Sequence, residues 1–328
     1  MTRSCPRHPE GDALLRGARR RGDRGAEPAL LDRFASLAMT ACVALLLTPA
    51  LAWSATTDAT APDLAFGAYQ RGDYSTAMKE AKKRIAANPK DAAALTLVGQ
   101  LYLEGAGVAR DLSLAMEWFK RGADAGNGEA AYLYGAAALN GAGAPKNRAV
   151  ARAYLEKAAA QDRPAALHLM GELALENEGA PSDFGKAADY FRRAAEKGNA
   201  DSLYALGVLY KTGRGVAKDE REAAEWFKRA AELDFAPAMV EFAVLQFNGV
   251  GAPRDPTAAA QWFRKAAMKG NAVAQNRLAH IFAEGLGVEA NLAEARQWRD
   301  KAREAGLNDP SLDYLSSAAE PAKPAAGK

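Results

Sequence analysis

The chain has 328 residues, 49% of them apolar and only 8% aromatic, with 29 glycines and abundant alanine. That composition disfavours a β-rich core and suits closely packed helices. The formal net charge of +3 is concentrated at one end: residues 1–54 hold eight arginines against five acids, which leaves basic and acidic residues equal in number over the rest. A balanced body without a Lys/Arg block lacks the basic face from which nucleic-acid binding draws its affinity, so nucleic acid is excluded as the expected partner.

The first predicted element runs from Phe34 to Ala52, FASLAMTACVALLLTPALA, preceded by Arg33 and closed by the small-x-small pattern Ala50-Leu51-Ala52. This is the pattern of a secretory signal peptide, with cleavage after Ala52 or Ser54 and a periplasmic or secreted destination. Thr40, Thr48 and Pro49 argue against its retention as a membrane span, so no stable membrane segment is expected after cleavage. Cys42 sits inside the apolar run instead of ending it, which disfavours lipid attachment, and Arg19-Arg20-Arg21 lies too far upstream for a twin-arginine signal. The Arg/Gly-rich stretch before Leu30 is long for such a leader, and a start near Leu31 would give ordinary proportions. Cys5 and Cys42 both belong to the leader, so the exported chain offers no disulfide, thiolate ligand or cysteine nucleophile.

Beyond the leader the chain repeats at 36 residues, six times without insertion. Gly107, Gly143, Gly179, Gly215, Gly251 and Gly287 share one register. Ala115 to Ala295 keep the same period, as do Trp118, Tyr154, Tyr190, Trp226, Trp262 and Trp298, and so do Asp111, Asn147, Asp183, Asp219, Asp255 and Asn291. The fourth copy reads as two helices, Ser202 to Lys211 and Asp219 to Glu232, joined by Gly213-Arg214-Gly215-Val216. The glycines permit the reversal, and the Asp or Asn four residues after the second glycine caps the next helix. Ala223, Trp226, Phe227 and Ala230 form an apolar stripe at helical spacing, which assigns the periodic Trp/Tyr positions to the core. Gly99, Gly135, Gly171 and Gly207, with Ala243 and Ala279, supply small residues where the first helix meets the second.

These motifs resemble the consensus of Sel1-like repeats, through Leu206-Gly207, Tyr210, Gly213, Gly215-Val216, Asp219, Ala223 and Trp226-Phe227 and their equivalents over 93–306. The third copy departs most, with Asn177 in place of the first turn glycine, where a looser turn is expected. Residues 58–91 resemble a tetratricopeptide unit instead, through Gly72-Asp73-Tyr74, Ala77 and Pro89, and are expected to cap the array. Residues 307–328 are expected to form a short C-terminal cap, at Pro310 to Leu315, and a disordered tail. The resemblance implies an all-α fold, a right-handed α-solenoid of helix-turn-helix repeats, acting as a monomeric scaffold that binds a protein or peptide partner.

Catalytic patterns are scarce. His168 and His280, the two histidines outside the leader, lie three repeats apart and read as surface residues that cannot share a metal or a triad, so no catalytic residue, metal or cofactor is expected. Gly141 to Lys146 has the look of a phosphate loop but occupies a repeat turn. In the resembling families the first helices line a concave surface. Transferring that geometry by register nominates Thr96, Gln100, Tyr132, His168, Glu172, Tyr204, Lys211, Phe247, Asn276 and His280 as the partner-binding face, with Tyr132, His168 and Tyr204 as an aromatic-rich row. The alternative is an envelope hydrolase or glycan-binding protein, for which Glu172 and Glu176 are the suggestive acids.

Overall fold

The computed structural model describes residues 63–176 and 181–316. The signal segment, the turn containing Asn177 and the tail after residue 316 lie outside the described residues. Among the described residues every regular element is helical. A leading pair, α1 (Leu64–Gln70) and α2 (Tyr74–Ala87), is followed by six pairs: α3 (Ala92–Glu104) with α4 (Leu112–Asp124), α5 (Gly128–Asn140) with α6 (Arg148–Ala159), α7 (Pro164–Leu175) with α8 (Phe184–Glu196), α9 (Ala200–Thr212) with α10 (Glu220–Glu232), α11 (Ala236–Asn248) with α12 (Pro256–Met268), and α13 (Ala272–Glu284) with α14 (Leu292–Glu304). A 3-10 helix, Pro310–Ser316, packs against α14. The fold is an all-α solenoid of helix-turn-helix repeats.

Two compact units divide the chain. One comprises the described residues up to Gly122 together with Ala136–Ala151, the other Ala123–Gly135 together with the described residues from Arg152 onward. In the first unit α2 packs on both α1 and α3, and Ala65, Ala68, Ala77, Met78, Leu97, Val98 and Leu101 form a core against which Tyr74, Tyr102 and Val108 rest. Arg84 joins this layer together by pairing with Asp63 at 2.6 Å and Asp91 at 2.8 Å. In the second unit each first helix packs on its own second helix and each second helix on the next first helix, from α7 through α14.

The period has a mechanical origin in the turn. The first glycine ends the first helix: Gly213 takes φ 72°, a left-handed value that costs a side-chain-bearing residue, and its N–H donates to the Leu209 carbonyl. The second glycine is where one repeat docks on the one before. A Cβ on Gly215 would stand 2.3 Å from the Phe184 carbonyl carbon, and one on Gly251 only 1.9 Å from the Glu220 oxygen, both at the start of the preceding second helix. The residue that caps the next helix then closes the turn from both sides. Asp219 accepts from the N–H groups of Arg221 and Glu222, while its own N–H donates to the Tyr210 carbonyl near the end of the first helix. Asp111, Asn147, Asp183, Asp255 and Asn291 cap their helices in the same way.

The helix pair closes on the residue after each periodic Trp or Tyr. Phe119, Phe191, Phe227 and Leu155 are fully buried, and a Cβ on the facing Gly99, Gly171, Gly207 or Gly135 would come within 2.5–2.9 Å of their side chains. The Trp/Tyr positions themselves, expected in the core, are only half-buried apart from Trp298. They lie at the margin of the apolar stripe, and a cation from the next turn covers the outer ring face: Arg121 over Trp118 at 4.2 Å, Lys157 over Tyr154 at 4.2 Å, Arg229 over Trp226 at 4.5 Å and Lys265 over Trp262 at 4.2 Å.

Candidate functional site: the first-helix registers

Two registers on the first helices carry most of the nominated residues, and their surroundings differ. The register of Thr96, Tyr132, His168, Tyr204, Val240 and Asn276 is recessed. Thr96 is 2% exposed and its hydroxyl donates back to the Ala92 carbonyl at 2.7 Å, so it offers nothing to a partner. His168, expected at the surface, is recessed as well. Its Nδ1 lies 2.9 Å from Ser202 Oγ on α9 and its Nε2 3.4 Å from Glu172, and its ring packs 5.4 Å from that of Phe191. Glu172 is 6% exposed and is likewise unavailable for an outside ligand. These positions face the following first helix, where a hydrogen-bonding side chain is satisfied across the repeat boundary and not by solvent. Tyr204 follows the same logic, half-buried with its ring between Phe227 at 5.5 Å and Phe235 at 5.6 Å.

The electrostatics of the His168 cluster follow from its burial. Desolvation disfavours the imidazolium, but the hydrogen bond to Glu172 and the charges of Glu172 and Asp201 outweigh it, so the pKa of His168 is raised above its ordinary value of 6.5. Ser202, Oγ against the imidazole, has the residue types of a hydrolase nucleophile and base, yet Ser202 is 0% exposed and no substrate reaches it. The Glu172 and Glu176 pairing considered for glycan hydrolysis fails on the same ground, because Glu172 is buried while Glu176 is exposed.

The register of Lys211 and Phe247 divides by side-chain chemistry. Lys211 runs its stem outward and pairs with Glu241 at 2.8 Å, whereas Phe247, nominated for the surface, is buried because an aromatic ring at that margin gains by turning inward. In the first unit Gln100 donates to Glu104, which also accepts the Tyr69 hydroxyl at 2.8 Å. Burial and the Glu104 carboxylate push the Tyr69 phenol well up, which keeps it a donor. Near the C-terminal end, Asn276 and His280 converge on Asp309, at 3.0 and 2.9 Å. Tyr132 is half-buried in α5.

The structure therefore brings nominated residues together in two places, His168 with Glu172 and Asn276 with His280. The partners that complete these contacts, Ser202 and Asp309, and the Glu241 that pairs with Lys211, were absent from the nominated set. A sequence signal existed for one of them: Lys211 with Glu241 and Arg264 with Glu294 share a spacing of 30 residues, the offset that joins successive repeats. Among the described residues no three His, Cys, Asp or Glu side chains are grouped to hold a metal ion, and no helix is long and apolar enough to cross a membrane.

Helix pairs of nearly constant length, docked through a turn glycine and joined in the second unit by charged pairs such as Arg193–Asp162, Lys211–Glu241 and Arg264–Glu294, define a helical-repeat protein. The chain belongs to the Sel1 repeat family, which matches it at 92–127, 128–162, 164–199, 200–235, 236–271 and 272–307. Sel1 repeats generally mediate protein–protein interaction. Among solved structures it is similar to a Sel1 repeat protein from Oxalobacter formigenes, with 30% identity and a TM-score of 0.63 over 73% of this chain and 94% of that one. It is also similar to a protective antigen present in uropathogenic Escherichia coli strains, with 29% identity and a TM-score of 0.68 over 74% of this chain; the match spans 52% of that antigen. No curated protein matches the chain.

Proposed function

We propose that the chain is an exported, monomeric scaffold that binds a protein or peptide partner along its first helices, in envelope signalling or assembly. The observation that carries this reading is Tyr204, a half-buried aromatic braced by Phe227 and Phe235, on the same helix as the exposed Lys211, which pairs with Glu241 of α11. A rigid amphipathic ring with a polar rim is the composition of an interface anchor. Tyr132 holds the same register two repeats earlier, while Thr96, Glu172 and Phe247 drop out because they are buried. Export rests on the signal-like segment from Phe34 to Ala52.

The test is an affinity capture from the native cell envelope with residues 55–328, compared with a Tyr132→Ala/Tyr204→Ala variant. Loss of a protein partner at the level of about tenfold or more, with an unchanged circular dichroism spectrum, is the expected result. Capture of the same partner equally by both proteins overturns the first-helix assignment. Recovery of the full-length chain only from the cytoplasmic fraction, with its leader intact, overturns export.

A further inference from the structure

The clefts between successive second helices differ in the residue that the incoming first helix places against the preceding second helix: Tyr210 and Phe282 in the fourth and sixth copies, Ala138 and Ala174 in the second and third, and Gln246 in the fifth. Where the fourth repeat docks on the third, the Tyr210 hydroxyl lies close enough to the Arg192 guanidinium of α8 to raise its pKa. Where the sixth docks on the fifth, Phe282 takes the same register, 36 × 2 residues on, beneath Arg264 of α12 at 5.2 Å. In both places an aromatic side chain stands against a cation of the preceding second helix.

The cleft between them, where the fifth repeat docks on the fourth, retains the cation and lacks the ring. Lys228 stands at the register of Arg192 and Arg264, but the position of Tyr210 and Phe282 is Gln246. The turn is reduced as well, with Ala252 where the first, fourth and sixth copies have Val108, Val216 and Val288. Between α10 and α12 lies an open cleft of about 340 Å³, lined among others by Phe242 and Gln246 of α11 and by Trp262. The Gln246 amide oxygen is shielded from solvent and has no hydrogen-bond partner. An unsatisfied buried acceptor of this kind costs free energy until a donor reaches it. Lys228 is only loosely engaged, 4.0 Å from Glu232, and Arg221 stands on the same rim, so two cations flank the single acid Glu225. The second and third copies show the contrast: they carry Ala138 and Ala174 at this register, and both are buried with no cleft-facing amide.

We propose that this cleft is a second peptide-binding site, which accepts a tyrosine side chain from a partner segment with acidic flanking residues. The ring occupies the place that Tyr210 and Phe282 take in their copies and lies against Lys228, the Gln246 side chain turns to present its amide oxygen to the tyrosine hydroxyl, and the flanking carboxylates meet Arg221 and Lys228. The assignment does not depend on the first-helix reading, because none of the lining residues belongs to the set nominated on the first helices.

The experiment is calorimetric titration of the full chain with Ac-Glu-Tyr-Glu-NH2, alongside Ac-Lys-Tyr-Lys-NH2 and Ac-Glu-Ala-Glu-NH2. Two variants refill the cleft with residues the chain itself uses at these registers, Gln246→Tyr from the helix and Ala252→Val from the turn. Lys228→Glu reverses the cation. The expected result is binding of the acidic tyrosine peptide, at least about tenfold weaker for the other two peptides and for Gln246→Tyr and Lys228→Glu, with melting midpoints of the refilled variants at or above the parent. Ala252→Val keeps the test valid if the larger tyrosine fails to fold. The Tyr132→Ala/Tyr204→Ala variant should bind the peptide as the parent does, which separates this site from the first-helix face. Absence of binding by the parent, equal binding of the basic or alanine peptide, or undiminished binding by a folded refilled variant each overturns the proposal.

Discussion

At the scale of single residues, the recessed His168 is the most informative side chain. Its pKa is raised on folding, so the stability it contributes is complete below the unfolded value near 6.5 and is lost as pH rises through the folded value. The urea midpoint should therefore fall as pH rises from below about 6.5 through the raised folded value. Glu172→Gln should flatten that dependence and cost about 1.5–3 kcal/mol at the acidic end, the worth of a hydrogen bond to a charged group. Equal pH slopes for parent and Glu172→Gln would show that the Ser202–His168–Glu172 contacts do not control it. A second residue-scale device sits at the end of the second helices, where Asp162 and Asp234 adopt left-handed backbone, φ 52° and 66°, at a register that holds glycine in the other copies. Asp tolerates that region better than most residues, and each pairs with the next repeat, Asp162 with Arg193 and Asp234 with Lys269.

At the scale of elements, the helix pair is set by the contact between a small residue and a ring. Gly207 admits Phe227 so closely that a Cβ would sit 2.6 Å from the ring. In the fifth copy the same register holds Ala243, facing Phe263, so a single methyl can be accommodated where the pair has adjusted to it. Branching is a different matter. Gly207→Val should lower stability by about 1–3 kcal/mol through overpacking, read from chemical denaturation, while leaving helix content nearly unchanged. A neutral result would mean that α9 and α10 can separate without loss, contrary to the full burial of Phe227 and Ala230.

At the scale of the whole molecule, a repeat array is stabilised by contacts between neighbours, so its ends decide where unfolding begins. The C-terminal end replaces the buried ring with a cap. Arg299 occupies the register of Phe227 and Phe263, is buried, and donates to the Ser316 hydroxyl at 2.9 Å, while Leu312 and Leu315 of the 3-10 helix are fully buried. Asp309 fixes this cap from the other side, and its carboxyl is held well below the usual carboxylate range: burial alone would raise it, but His280, Ser311 and Asn276 outweigh that. Leu312→Ala should cost about 2–5 kcal/mol, and hydrogen exchange should then report loss of protection in α13 and α14 before α9 and α10. Uniform loss across the second unit would instead indicate that it unfolds as one cooperative block.

The sequence by itself determined the period, the two helices of each copy, the turn glycines and their caps, because these depend on contacts within about 36 residues and on local backbone conformation. It could not say which side of a half-apolar helix would be closed by the next repeat. Tyr132, His168 and Tyr204 share a register and read alike as surface aromatics, yet His168 is sealed by Ser202 from the following helix, and Thr96 and Phe247 are buried outright. Trp118, Trp226 and Trp262 moved the opposite way, from expected core to a margin shielded by cations. Burial at these places is decided by what the neighbouring repeat presents, so it is a property of the docked pair and not of either sequence segment. The cleft at Gln246 belongs to the same class. Its residues are visible in the sequence, but an absent ring becomes a cavity only where the flanking helices are held apart by their other contacts.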